Sequence, residues 1–140
     1  MKANELRIGN YVVIDGITTL SITVLGVLND KIYYSPINND EFDKDFYSLM
    51  SYVKPIPLTE EWLLKFGFEK YIKETDYDSI YELKNINIPK SGYFEFSVGF
   101  IENEINIFLY SGECLRHIKY IHQLQNLYFA LTGEELTIKE

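Results

Sequence analysis

Cys114, His117 and His122 carry the softest donor atoms in this chain, and their spacing invites two chemistries. Cys-x-x-His over 114–117 is half of a zinc-binding pattern, and a thiol beside an imidazole is also the core of a cysteine nucleophile pair. The inventory argues against both. A structural zinc ion wants four ligands, whereas the chain holds one Cys and two His, and no Gly-rich oxyanion turn or nucleophile motif surrounds Cys114. The expectation is a buried thiol and two partly exposed imidazoles.

Hard cations need clustered carboxylates. Asn39, Glu41, Asp43 and Asp45 alternate as in a calcium loop, but Lys44 stands where such a loop needs glycine and no bidentate Glu follows. A solvated acidic loop is the reading, and the same holds for Glu74, Asp76 and Asp78. There is no phosphate-cradling glycine loop, no Ser-His-Asp order and no His pair at helical metal spacing. No catalytic residue, cofactor site or metal site is therefore assigned, and a non-enzymatic protein is expected.

Arg116, His117, Lys119 and Tyr120 make the one concentrated basic and aromatic patch, a candidate interaction site able to hold a phosphate backbone beside a stacking ring. The formal net charge of −8 opposes nucleic acid and anionic membranes at long range. Nucleic-acid binding through this patch and the N-terminal β module is the second reading. The leading one is an interaction protein that binds another protein or itself through an aromatic-rich surface. Its 12 Tyr and 9 Phe supply the contact area such interfaces use.

The elements that must position these residues read as α+β. Residues 1–56 form a run of short β-prone segments: Tyr11 to Ile14, an Asp15-Gly16 hairpin signal, Ile17 to Leu25, an Asn29-Asp30 turn, Lys31 to Ser35, and Tyr47 to Val53. Strands that short must curl or be covered to hide their edges, which predicts a small SH3-like β-barrel or meander. Pro55 and Pro57 break regular pairing and mark a module boundary. Residues 57–140 then read as helix, three- or four-stranded antiparallel sheet, and helix.

Two helices are well marked. Thr59 is an N-cap followed by Glu60 and Glu61 at the positive end of the dipole, Leu58 and Leu63 are spaced as a hydrophobic staple, and Gly67 is a C′ glycine. In the last helix Ile121, Leu124, Leu127, Tyr128 and Leu131 share one face, with Gly133 as the stop. Strands are expected at Ser79 to Leu83, Gly92 to Ile101 and Ile105 to Tyr110, with a turn at Asn103. Alternation at Cys114 to Lys119 predicts a fourth strand.

The opening Met1-Lys-Ala-Asn-Glu-Leu-Arg-Ile-Gly-Asn-Tyr-Val12, the central Ile56-Pro-Leu-Thr-Glu-Glu-Trp-Leu-Leu-Lys-Phe-Gly-Phe68 and the closing stretch from Ile121 to Leu136 resemble a family of small uncharacterised proteins of gut anaerobic bacteria and their phages or mobile elements. The intervening strands and loops carry no such likeness. That family has no established activity, so the resemblance implies a setting and transfers no site residue. A lone cysteine and the absence of a signal-like or membrane-spanning apolar run fit a cytoplasmic location.

Overall fold

The computed structural model describes residues 1–15, 21–36, 46–71, 77–88, 92–109 and 114–139, with positions 84–88 and 92–95 described for their backbone alone. Contacts divide the chain into two units. The first comprises Met1–Pro57 with Tyr120–Asn126, the second Leu58–Lys119 with Leu127–Glu140.

The first unit is a meander. Strands β1 (Tyr11–Ile14), β2 (Ile22–Leu28), β3 (Lys31–Pro36), β4 (Tyr47–Leu49) and β5 (Val53–Lys54) form one antiparallel sheet in the order β4-β3-β2-β1-β5. Gly16 of the expected Asp15-Gly16 hairpin signal lies outside the described residues; β1 and β2 pair antiparallel, Tyr11 with Thr23 and Val12 with Ile22, while Val13 and Ile14 pair with β5. The segment read as one strand from Tyr47 to Val53 is interrupted by a 3-10 turn, Met50–Tyr52, which ends β4 and sends β5 back to β1. Among the described residues no pairing joins β4 to β5, so the sheet is not closed into a barrel. Alternation sends Val12, Ile14, Ile22, Val24, Ile32 and Val53 to one buried face with Leu6.

In the second unit, helix α1 (Glu60–Lys65) forms as its caps dictate. The Thr59 hydroxyl accepts from Trp62 N–H at 3.4 Å. At the other end Gly67 takes φ +90°, and Phe68 N–H and Gly67 N–H donate to the carbonyls of Leu63 and Leu64, each at 3.0 Å. That is a Schellman ending, which satisfies carbonyls the helix cannot. Leu58, Leu63 and Phe66 are buried, and Glu61 pairs with Lys65 at 3.0 Å.

The sheet that follows has five antiparallel strands in the order β10-β9-β8-β7-β6: β6 (Glu69–Lys70), β7 (Ser79–Ile88), β8 (Gly92–Ile101), β9 (Glu104–Leu109) and β10 (Cys114–Leu115). Glu102 and Asn103, both with positive φ, turn β8 into β9. The strand expected across Cys114 to Lys119 stops at Leu115, since pairing with β9 covers two residues only. Beyond it the chain leaves the ladder, and the Lys119 carbonyl accepts from Leu58 N–H at 2.9 Å. Tyr81, Phe96, Val98 and Ile107 fill the buried face, with Phe68 and Tyr128 edge-on to Phe96.

Helix α2 (Ile121–Thr132) has Ile121, Leu124 and Tyr128 buried as their spacing predicts, while Leu127 and Leu131 are half-buried. Unexpectedly, His122 and Gln125 are buried too. Its first half belongs with the first unit and its second half with the second. No helix among the described residues is long and apolar enough to cross a membrane.

Candidate interaction surface

Arg116, His117 and Lys119 are exposed on the irregular stretch after β10, in the second unit. Tyr120 is half-buried, belongs with the first unit, bridges to Pro57 and stacks on His122 at 6.0 Å between ring centroids. The aromatic member of the basic patch is thus committed to internal packing.

Two expectations about the soft ligands are reversed. Cys114 is exposed, with its thiol 3.7 Å from Asn106 Oδ1, and His122 is buried. The thiol expected to be buried lies instead on β10, an edge strand only two residues long. Among the described residues no group of three His, Cys, Asp or Glu side chains could hold a metal ion. The acidic stretch Asn39 to Asp45 lies outside the described residues, as do Glu74 and Asp76. Asp78 accepts from Glu102 N–H at 3.1 Å.

A surface the sequence reading did not single out lies on the outer side of β3 and β4. Ile32 and Ser48 face each other across the ladder and are buried, so the flanking pairs Lys31↔Leu49 and Tyr33↔Tyr47 point outward. Leu28, opposite Lys31, extends the same face. Leu28, Tyr47 and Leu49 are 55%, 50% and 41% exposed. Tyr33 and Tyr47 lie 6.3 Å apart, the Lys31 ammonium sits 5.2 Å above the Tyr47 ring, and the Tyr33 ring covers Gly26. Apolar contact, a cation and two phenols are therefore offered together.

The backbone beside this face is poised in the same direction. Tyr34 N–H donates to the Phe46 carbonyl and Met50 N–H to the Asp30 carbonyl. In an antiparallel ladder this makes 33↔47 and 31↔49 the non-hydrogen-bonded pairs, whose main-chain groups turn away from the partner strand. The N–H groups of Tyr47 and Leu49 thus point out from the sheet edge, where β4 has no further strand among the described residues.

The other polar clusters are structural ties. The Glu60 carboxylate accepts from Ser79 Oγ at 2.6 Å and Tyr81 Oη at 2.8 Å, and these bonds hold its pKa below the usual carboxylate value. Burial and that same hydrogen bond push the Tyr81 phenol up to about 12. In the first unit Gln125 Oε1 accepts from Tyr11 N–H at 2.8 Å and its Nε2 donates to the Gly9 carbonyl at 3.1 Å. Asn126 Oδ1 accepts from Asn10 Nδ2 at 2.9 Å, and its Nδ2 donates to the Glu5 carbonyl at 3.0 Å. Comparison with protein-family models, with curated proteins and with solved structures yields no match.

Proposed function

We propose that this chain is a non-enzymatic interaction protein that binds another protein, or a second copy of itself, through the outer face of β3 and β4. The carrying observation is the group Leu28, Tyr47 and Leu49, large side chains exposed on one face from β2 across to the edge strand β4, whose outward N–H groups can receive an added strand. Main-chain pairing at β4 would supply affinity, and contact with the two tyrosines, Leu28 and Lys31 would supply specificity. In this reading the first unit is a small SH3-like module. Support comes from the order β4-β3-β2-β1-β5 and the 3-10 turn that precedes the return of β5 to β1. A cytoplasmic setting in a bacterium or phage follows the sequence resemblance.

The test is site-specific photo-crosslinking. A benzophenone side chain at Tyr47 should give one discrete protein adduct in the producing cells, or a dimer of the chain. The same probe at Leu64, an apolar residue on α1 that is 55% exposed, should not. A nuclease-sensitive adduct from position 47 would favour the nucleic-acid reading instead, and equal labelling from both positions would remove the claim.

A further inference from the structure

His122 is 2% exposed, and neither ring nitrogen has a hydrogen-bond partner among the described residues. A neutral imidazole carries one N–H and one acceptor nitrogen; protonation replaces the acceptor with a second donor and adds a charge. Burying that cation without an acceptor is far costlier than burying the neutral ring. The position adds to the penalty, since His122 is the second residue of α2 and the positive end of a helix dipole disfavours a cation there.

The groups around it do not relieve this. Tyr120 presents a stacked neutral ring, the Glu5 carboxylate of the N-terminal 3-10 turn favours the imidazolium, and the Met1 ammonium opposes it. Burial outweighs the carboxylate and keeps the imidazole pKa below its ordinary value. Glu5 is itself engaged by Lys2 N–H at 3.1 Å.

Beside His122, the same segment carries a hydrogen-bonded network to the start of the chain. Ile121 N–H donates to the Ile56 carbonyl at 2.9 Å, and Gln125 and Asn126 reach the backbone of Gly9, Tyr11 and Glu5. Releasing the segment breaks these bonds together, so a cost added at His122 is read at the amides they hold.

We propose that Tyr120–Asn126 is an acid-sensitive latch: protonation of the buried His122 imidazole releases this half of α2 from the start of β1. The sign follows from linkage. Above about pH 6.5 both closed and open forms are neutral at His122 and the latch is fully closed; below it the open form takes up a proton that the closed form resists. Closure therefore weakens as pH falls from that value toward the lowered value of the closed form.

Amide hydrogen exchange on the full chain, corrected for intrinsic rates, reads this directly. From about pH 6.5 downward, protection at the Tyr11 and Ile121 amides should fall by up to about tenfold per pH unit. The Phe68 amide, in the Schellman ending of α1, should keep its protection. His122→Leu should abolish the dependence and His117→Gln should preserve it. Should His122→Leu fail to fold, imidazole NMR of the wild-type chain decides: a His122 ring that protonates while Tyr11 stays protected overturns the latch. So would protection at Tyr11 that is flat with pH, that falls together with Phe68, or that keeps its slope in His122→Leu.

Discussion

The two faces of the first sheet use the same kinds of residue to opposite ends. On the inner face Val12, Ile14, Val24 and Ile32 are fully buried. On the outer face of β2, β3 and β4, Leu28, Tyr47 and Leu49 stand exposed a single residue away from the buried side. Composition cannot separate the two sets; strand register does, because a shift of one position carries a side chain to the other face. The inner set is accounted for by folding, whereas the outer set is what the proposed binding reading rests on.

Substitution on the two faces sharpens the contrast. Ile32→Ala opens a cavity in the core and should cost roughly 2–5 kcal/mol, read as a lower urea midpoint with an unchanged slope. A loss below about 1 kcal/mol would mean the site collapses around the gap or that β3 is out of register.

Gln125→Ala comes next. It removes the side chain that bonds Tyr11 N–H and the Gly9 carbonyl, at about 1–3 kcal/mol for the buried bond to Tyr11 and less for the part-buried one. Asn10→Ala added to it should give less than the sum, since Asn10 is bonded within the same network. Additive losses would mean that α2 is held here by apolar contact alone.

Thr59→Ala is smaller, about 1 kcal/mol, because it removes one capping acceptor from a short exposed helix start. Its effect belongs to the second unit. A loss of binding by the β3–β4 face in this variant would break the assignment of function to the first unit.

The contrast between α1 and α2 explains what could be read in advance. Every determinant of α1 lies between Leu58 and Phe68, so capping, dipole and glycine conformation are all local and the helix was legible residue by residue. The anchoring of α2 is not local. Gln125 and Asn126 bind main-chain groups more than a hundred positions earlier, and a glutamine on a helix face carries no mark of a distant strand start. The periodicity of Ile121, Leu124 and Tyr128 gave the buried stripe but not His122 beside it.

The same limit hid the exposed face proposed here for interaction. Tyr33, Tyr47 and Leu49 look like core strand residues, and only the pairing of Ile32 with Ser48 reveals which side each occupies. Conversely, the strand expected across Cys114 to Lys119 rested on alternation that continues beyond Leu115, where pairing with β9 ends.

The most direct test of the central claim combines stability and binding in one variant. Leu49→Lys places a charge on the outer face without touching the core, so its melting temperature should match that of the wild type within the small range usual for surface changes. The adduct captured by the probe at Tyr47 should disappear in the same protein. An unchanged melt with loss of the adduct is the result this account predicts. An adduct that survives Leu49→Lys, or one lost only together with a large drop in melting temperature, would contradict it.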